Sequence, residues 1–368
     1  MGVPAIEGPE APRVVIDGTP YDWFRGSGYL GLQHHPEVVQ AACDATLRYG
    51  LRLRDRRDAG CHPCLPEWER AATAFFDCAA AVLLGSGYAG GTVVAAALAG
   101  DVDVAFVDEQ SHPNIADGLA AAGLPTVAFA HRDPEALRAA LAARTAPGQR
   151  PLVASDGVFP ITGALAPAEA YREVLRAYDG AILCLDDAHG YGVLGHNGRG
   201  TLEHLGLSGE GVVSYGTMSK AFGTGGGVIP CSEGLRDRIE RRSAASRAMS
   251  KPSPGIVAAG ARALDIARTR PGLRVRLAEI VARVRAGLRS LGVEVEGSPA
   301  PIVCIRQTPG LDCGAVARHL HEREHIAVLH ATNGYPNVPA GGCLALTVSA
   351  LHEDEQIDRL LAALRRAL

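Results

Sequence analysis

Two lysines are the only side-chain amines that the sequence offers for covalent chemistry. Among its 36 basic residues only Lys220 and Lys251 are lysines, and all the others are arginines. A guanidinium stays protonated, whereas a lysine amine becomes a nucleophile once it loses its proton. Any chemistry that needs an amine nucleophile therefore falls to one of these two residues.

Lys220 lies in a segment that does not suit a solvated surface charge. Its neighbours in residues 217–227, Thr-Met-Ser-Lys-Ala-Phe-Gly-Thr-Gly-Gly-Gly, are small, apolar or glycine. Lys251 precedes Pro252 in an apparent loop, and we interpret it as structural or substrate-facing. Lys220 is therefore the candidate nucleophile.

A carboxylate and Lys220 each follow an apolar run that predicts a strand. Asp186 comes directly after Ala-Ile-Leu-Cys-Leu, residues 181–185, and Lys220 follows Val-Val-Ser-Tyr, residues 212–215. Ligands of parallel sheets bind at the carboxyl ends of the strands. We therefore expect Asp186 and Lys220 at the same edge of one sheet.

Pyridoxal phosphate (PLP) needs this set of groups. A lysine amine condenses with its aldehyde, a buried carboxylate keeps its pyridine nitrogen protonated, and hydroxyls with a helix N-terminus hold its phosphate. Thr217, three residues before Lys220, can supply such a hydroxyl. The sequence therefore predicts a PLP site.

A glycine loop in the first half of the chain is typical of phosphate binding. Gly85–Gly90 matches G-x-G-x-x-G, follows the apolar run 81–84 and precedes a predicted helix. Free N–H groups and the helix dipole favour any phosphate there. A nicotinamide dehydrogenase, with Asp103 or Asp108 as its ribose partner, stays open on this motif alone. The tyrosine after the second glycine, and the position of the loop well inside the chain, favour a monophosphate.

Apolar strands alternate with helices up to about residue 232, which predicts an α/β fold with a mostly parallel sheet and helices on both faces. Arg/Ala/Leu-rich helices and short strands follow, which predicts a smaller C-terminal α+β domain. We predict an N-terminal arm and helix in residues 1–50, a large PLP-binding domain in 51–245 and a small C-terminal domain in 246–368.

Two local patterns in the second half of the chain each predict a single element. The Arg-rich pattern predicts one continuous helix over Leu235–Ala248. An apolar run predicts one short strand over Ala327–Leu329.

Charge and cysteine usage bound the environment of the protein. A net charge of −4 gives no reason to expect nucleic acid, and no apolar run is long enough to span a membrane. Nine scattered cysteines, with Cys184 and Cys304 inside strand-like runs, predict reduced thiols and a cytoplasmic protein. Cys61 and Cys64 match C-x-x-C without a second pair at zinc spacing, so we predict a loop and no metal site there.

Taken together, these segments resemble the α-oxoamine synthases, a family of fold-type-I PLP enzymes, over roughly residues 20–365. The motifs that carry the resemblance are Tyr29-Leu-Gly-Leu, His35-Pro36, Ser86-Gly-Tyr, Asp108-Glu-Gln-Ser-His112, Asp156-Gly-Val-Phe159, Asp186-Asp-Ala-His-Gly190, Gly195, Gly198-Arg-Gly200, Gly216-Thr-Met-Ser-Lys220-Ala-Phe-Gly223, Val338-Pro-Ala-Gly341 and Ser349-Ala-Leu-His352.

The resemblance implies a role for each residue around the cofactor ring. Lys220 carries the Schiff base, and Asp186 pairs with the pyridine nitrogen. His189 hydrogen-bonds the phenolic oxygen, and His112 stacks on the ring face and shuttles protons. These four are the predicted catalytic residues.

The resemblance also implies how the phosphate is held. Ser86, Gly87 and Tyr88 form the glycine loop, whose backbone donors bind the phosphate, and Thr217 adds a hydroxyl. Family members form their sites at a dimer interface, so a homodimer is expected. Ser250 is then expected to reach the phosphate of the partner subunit.

Two departures from the family pattern bear on the reaction. Pro160 stands where the family has a serine that contacts the phenolic oxygen, and Thr162 is the nearest replacement. The family's C-terminal Arg-Leu-Arg, which clamps the substrate's α-carboxylate, falls on Cys343-Leu344-Ala345. Arg25 and Arg56 are the candidates to replace it. Otherwise the substrate is not a simple α-amino carboxylate.

We therefore predict a PLP-dependent acyltransferase that joins an amine-derived carbanion to an acyl thioester, with or without decarboxylation. The substrates are an amine or amino acid and a thioester of coenzyme A or of a carrier protein. The main alternative is a PLP-dependent aminotransferase, lyase or decarboxylase acting on an unusual amine. An inactive partner subunit is disfavoured by the presence of Lys220, Asp186 and His189.

Overall fold

The computed structural model describes residues 5–56, 60–332, 334 and 337–368. Its strands, in chain order, are β1 (Ile6–Glu7), β2 (Arg13–Ile16), β3 (Thr19–Trp23), β4 (Asp55–Arg56), β5 (Gly60–Cys61), β6 (Ala80–Leu84), β7 (Val104–Asp108), β8 (Thr126–Phe129), β9 (Pro151–Asp156), β10 (Ile182–Asp186), β11 (Val212–Thr217), β12 (Gly227–Cys231), β13 (Ile302–Arg306), β14 (Ile326–Ala327), β15 (Leu329–Ala331) and β16 (Cys343–Thr347).

Helices cover the sheets and connect most of these strands. They are α1 (Pro36–Tyr49), α2 (Cys64–Phe76), α3 (Ala89–Leu98), α4 (Pro113–Ala121), α5 (Pro134–Arg144), α6 (Ala168–Leu175), α7 (Thr201–His204), α8 (Glu233–Arg242), α9 (Ala244–Ala248), α10 (Pro254–Thr269), α11 (Gly272–Ser290), α12 (Cys313–Glu324) and α13 (Asp354–Ala367). None of the described helices is both long enough and apolar enough to cross a bilayer.

A seven-stranded sheet in the order β6-β12-β11-β10-β9-β7-β8 carries the candidate site. All its strands are parallel except β12, which runs antiparallel to both neighbours. Every residue of β7 and β9 is buried, as expected for strands covered by helices on both faces. The predicted α/β class with a mostly parallel sheet is therefore confirmed.

The antiparallel strand β12 was not predicted. Its sequence, Gly-Val-Ile-Pro-Cys, directly follows Gly225 and Gly226 and contains Pro230 in its interior. Glycine and proline are both depleted in strands, so the local signal indicated a loop. Its ladder with β11 spans only two residue pairs and ends before Pro230.

Two smaller sheets use strands from the second half of the chain. Antiparallel β13, β16 and β15 form one, and β14 adds to β3 of the N-terminal arm in the other. The prediction of one strand over Ala327–Leu329 was wrong, because Ile326 pairs with Asp22 whereas Leu329 pairs with Ala345. The chain thus changes sheets at this point. The predicted domain boundaries stay a prediction.

The predicted continuous helix over Leu235–Ala248 was also wrong, because the helix is interrupted at Ser243. This residue has extended backbone angles and is buried. Its hydroxyl accepts a hydrogen bond from the Ser246 N–H at 3.1 Å and so starts α9 as an N-cap. The hydrophobic periodicity alone did not reveal this cap.

The strand register sets the positions of the candidate catalytic groups. Asp186 is the Cα partner of Asp156 on one side and of Tyr215 on the other. All three therefore lie at the carboxyl edge of the sheet, and Lys220 follows β11 at the same edge. Helix α3 packs closely against this edge, since a Cβ atom on Gly90 would clash with the Tyr215 ring.

Candidate active site

Lys220 lies beyond the end of β11, where the charges of two buried carboxylates act on its ammonium group. Burial lowers the pKa of Lys220, while Asp186 and then Asp156 act to raise it. The Lys220 side chain therefore lies beside two acids, yet its burial still shifts it toward the free amine. A free amine is the form that attacks an aldehyde.

Asp186 is buried and accepts hydrogen bonds on both oxygens. Oδ1 accepts from the Ala188 N–H at 3.0 Å, and Oδ2 accepts from Nδ2 of Asn114 at 2.8 Å. Hydrogen bonds of this kind stabilise the ionised carboxylate. An ionised Asp186 is the form that would pair with a protonated pyridine nitrogen.

Asp156 is the second buried acid of the site. It accepts a hydrogen bond from the backbone N–H of His112 at 2.8 Å, and so ties the loop before α4 to the end of β9. Burial, and then the negative charge of Asp186, raise the pKa of Asp156 well above its usual range. Two such carboxyls hold one negative charge far more readily than two.

His112 is the N-cap residue of α4, and Pro113 is the first residue of that helix. Its ring meets the Tyr88 ring edge-on, with 5.8 Å between centroids. Its Nδ1 lies 3.0 Å from Oδ1 of Asn114. Sequence reasoning missed Asn114, although an amide inside a largely apolar helix was a usable signal.

His189 receives a partner from the N-terminal arm. The Tyr29 hydroxyl lies 2.6 Å from His189 Nδ1. Burial, and then the neighbouring Lys220 and His112, lower the pKa of His189 well below its usual range, and burial raises the pKa of Tyr29. Both side chains are therefore neutral near pH 7. The motif around Tyr29 was recognised, but no role was predicted for its hydroxyl.

The glycine loop and the end of β11 meet in a tight cradle. A Cβ atom on Gly87 would lie 2.6 Å from Cβ of Thr217, and one on Gly227 would lie 2.7 Å from the Ser86 carbonyl oxygen. Thr217 Oγ1 lies 2.8 Å from Oγ of Ser219, a hydroxyl that sequence reasoning also missed. Glycine at positions 87 and 227 thus brings the loop backbone and the Thr217 hydroxyl together at the start of α3.

Tyr88 and Ser250 frame this cradle from outside. The Tyr88 ring is half-exposed and its hydroxyl bonds Asp117. Ser250 is exposed, and its carbonyl lies so close to Gly85 that a Cβ atom there would meet it at 2.5 Å. The predicted contact of Ser250 with a partner subunit stays a prediction.

These groups fit PLP. An amine with a lowered pKa, an acid whose oxygens accept hydrogen bonds, and a glycine–hydroxyl cradle lie at one sheet edge. Lys220 would hold the aldehyde carbon, Asp186 the pyridine nitrogen, and the loop with Thr217 the phosphate. When bound, PLP supplies an electron sink for a carbanion at the carbon that carries the substrate nitrogen.

The predicted position of the missing arginine clamp is apolar. Cys343 and Ala345 of β16 are buried. They form a cluster with Cys304 of β13, Ala331 of β15 and Ile161 from the loop after β9. Strand β16 therefore brings no cation to the site at these positions.

The suggested replacements remain predictions. The Thr162 hydroxyl accepts a hydrogen bond from the Ala164 N–H at 3.3 Å, within the loop that contains Pro160. Arg25 is exposed, with its guanidinium carbon 5.4 Å from the centre of the Trp23 ring. The Arg56 side chain lies outside what the structure describes.

Lys251 has a backbone partner, and the two cysteines of the C-x-x-C motif differ in burial. Nζ of Lys251 donates to the Leu83 carbonyl at 2.9 Å and so ties the chain before α10 to β6. This contact supports the structural interpretation of Lys251. Cys61 is exposed and Cys64 is buried, and both are free thiols.

Comparison with known proteins places the chain in a family. Residues 26–364 match the model of aminotransferase class I and II. An 8-amino-7-oxononanoate synthase from Methylococcus capsulatus is 38% identical over 99% of this chain and 93% of its own length. One from Trichlorobacter lovleyi is 33% identical over 96% of this chain and 90% of its own length.

A solved structure shows the same fold with cofactor bound. A serine palmitoyltransferase from S. paucimobilis, determined with bound PLP and myriocin, superposes with a TM-score of 0.90. It is 25% identical and covers 99% of this chain and 92% of its own chain. The chain belongs to the aminotransferase class I and II family and, within it, to the α-oxoamine synthases, which are PLP-dependent acyltransferases.

Proposed function

We propose that this enzyme joins the carbon that bears the nitrogen of an amine substrate to the acyl carbon of a thioester, and releases the thiol carrier. The names of its relatives support this reaction. In 8-amino-7-oxononanoate the carbonyl adjoins the carbon that carries the amine, and serine palmitoyltransferase is named for an acyl transfer to serine. The single observation that carries the proposal is the meeting of Lys220, Asp186 and His189 at one sheet edge.

Each of these residues has a proposed task at a stated atom. Lys220 Nζ would hold the aldehyde carbon of the cofactor when no substrate is bound and, as a free amine, would move a proton at the substrate carbon. Asp186 would pair with the protonated pyridine nitrogen, which keeps the bound cofactor able to supply its electron sink. His189, neutral because of its lowered pKa, donates to the phenolic oxygen. His112 covers the ring face and moves protons.

The proposed phosphate site is the cradle described above. Backbone N–H groups of Ser86, Gly87 and Tyr88 lie at the start of α3, where the helix dipole favours an anion. Thr217 adds its hydroxyl from the end of β11. A Cβ atom at Gly87 would clash with the Thr217 side chain, so glycine lets the loop backbone lie beside the hydroxyl that this assignment uses.

We propose that the amine substrate is atypical for the family. A bidentate arginine–carboxylate contact is strong, and removing one partner of such a buried pair costs about 2–5 kcal/mol. Buried Cys343 and Ala345 offer no such contact. The preferred amine therefore either lacks an α-carboxylate or binds equally well when no cation pairs with that group.

A homodimer in the cytoplasm completes the proposal. Helix α1 and the turn after it expose Leu47 at 87% and Leu51 at 78%, with Val39 at 45% on the same helix. Exposed apolar side chains grouped in this way are typical of an interaction surface. A second copy of the chain would cover them and would place its Ser250 near the phosphate site.

Thiol release tests the proposed reaction. Purified holoenzyme is incubated with acyl-coenzyme A of several chain lengths and with matched pairs, such as glycine with methylamine and alanine with ethylamine. We expect thiol release that requires an amine and exceeds hydrolysis of the thioester alone. Release of ammonia, carbon dioxide or a keto product without any thiol would instead support the lyase, decarboxylase or aminotransferase alternatives.

A further inference from the structure

Asn114 links Asp186 to His112 through its side-chain amide. Its side chain is 1% exposed, with Nδ2 2.8 Å from Oδ2 of Asp186 and Oδ1 3.0 Å from Nδ1 of His112. Its backbone is also closely packed against α3, because a Cβ atom on Gly91 would clash with the Asn114 carbonyl oxygen. The amide therefore has little freedom to move away from either partner.

The partner on the sheet side decides which way the amide faces. An ionised carboxylate only accepts hydrogen bonds, so Asp186 requires the NH2 group of the amide. Nδ2 also lies 3.4 Å from the Tyr215 hydroxyl oxygen, which can accept its second hydrogen. With NH2 on this side, the oxygen of the amide faces His112.

That orientation decides where His112 carries its proton. An amide oxygen only accepts, so Nδ1 of His112 must donate to it. The opposite tautomer would set two lone pairs against each other across 3.0 Å. A lone pair on Nδ1 would suit the Asn114 backbone N–H, but that contact is longer, at 3.4 Å.

We infer that Asn114 is a positioning residue that sets neutral His112 in the Nδ1–H tautomer and leaves the lone pair on Nε2. The significance of this tautomer rests on the proposed function, in which His112 moves protons. With the lone pair on Nε2, the atom that accepts a proton is the one turned away from α4. Asn114 acts only through His112 and Asp186.

His189, whose partner is Tyr29, takes the opposite tautomer in this scheme. The Tyr29 hydroxyl lies 2.6 Å from His189 Nδ1, and either group can donate in this contact. The proposed hydrogen bond from His189 to the phenolic oxygen uses a proton on Nε2, so Nδ1 accepts from Tyr29. One site histidine is thus poised to accept a proton and the other to donate one.

Tautomers can be read directly by nuclear magnetic resonance. Holoenzyme labelled with nitrogen-15 in its histidines is measured by long-range proton–nitrogen correlation at pH 8. Signals are assigned by their loss in His112→Gln and His189→Gln. We expect a protonated Nδ1 for His112 and a protonated Nε2 for His189. A protonated Nε2 on His112 in the wild-type enzyme overturns the inference without any need for a further variant.

Two substitutions of Asn114 separate positioning from support of the fold. Asn114→Ala removes the acceptor, and the Nδ1–H form of His112 should lose its preference by about tenfold, the worth of one hydrogen bond. Asn114→Asp keeps an acceptor toward His112, so Nδ1–H should persist. A residue that only supports the fold would leave the tautomer unchanged in the folded fraction of both variants, which would contradict the inference.

Measurements on the same samples distinguish failure of the proposed function from failure of this inference. Thiol release from acyl-coenzyme A is measured on the wild-type holoenzyme used for the spectra. The predicted tautomers without thiol release would refute the proposed function and leave the positioning role of Asn114 standing. Thiol release with His112 protonated on Nε2 would do the reverse.

Discussion

The carboxyl edge of the seven-stranded sheet and the face of the small β13-β16-β15 sheet differ in the charged groups they carry. The edge gathers Asp156, Asp186 and Lys220, each with hydrogen bonds or charges acting on it. The small sheet presents buried Cys343 and Ala345 in an apolar cluster. A buried charge needs a partner, so an apolar face is a poor place to receive a carboxylate. The charged groups that fit the cofactor thus lie at the sheet edge, whereas the small-sheet face holds no cation at Cys343 or Ala345 for a substrate carboxylate.

Removing the amine at the sheet edge should have the largest effect. Lys220→Ala deletes the nucleophile and is expected to abolish the visible absorbance of bound cofactor. Thiol release should fall by at least about a thousandfold, as is typical when a covalent nucleophile is lost. Lys251→Arg is the matched control and should retain both signals. An unchanged visible band in Lys220→Ala would contradict the account of the edge.

Adding a cation to the small sheet tests the other half of the comparison. Ala345→Arg should favour an α-amino acid over its decarboxylated amine by about tenfold or more, because a guanidinium pairs strongly with a carboxylate. Spectral titration of the holoenzyme with the matched pair measures this preference.

Ala345→Met controls for the added bulk at position 345. Overpacking costs about 1–3 kcal/mol in either variant, so their melting temperatures should fall together. Only the arginine should shift the preference. Equal binding of acid and amine by Ala345→Arg would show that this face does not decide carboxylate recognition.

The smallest effect concerns the second acid of the sheet edge. The pKa of Asp156 is raised, so the folded protein keeps a proton that the unfolded chain releases above about pH 4. Stability is therefore lost as the pH rises through this window. Asp156→Asn cannot ionise and still accepts from the His112 N–H. It should melt roughly 1–3 °C above the wild type at pH 8, a gap that narrows toward pH 4.

Thermal melts across that pH range check the sign of this effect. A variant that melts below the wild type at every pH would mean that an ionised Asp156 supports Lys220. The sheet edge would then hold two charged acids and would be even more polar relative to the small-sheet face.

The fold class, the cofactor and the family were predictable from sequence because their signals are local. Strands such as β9 and β10 are apolar runs bounded by loops, and the reactive side chains follow these runs directly. The register of β10 and β11 then brings Asp186 and the segment before Lys220 to one edge, as the alternation of strands and helices predicts.

Contacts between distant segments were not predictable from one chain. Tyr29 and His189 are 160 residues apart, and Asn114 and Asp186 are 72 apart. The local sequence pattern of each segment does not indicate which distant residue it contacts. Strand β12 was missed for a different reason, since its glycine and proline content contradicts strand propensity while tertiary pairing holds it in place.

Trapping the cofactor on the protein tests the central claim most directly. The yellow holoenzyme is reduced with borohydride, digested and analysed by mass spectrometry. The chain has two lysines, so only two side-chain amines can carry the label. We predict a phosphopyridoxyl group on Lys220 and none on Lys251. Label on Lys251, or none on either lysine, would contradict the assignment of the active site.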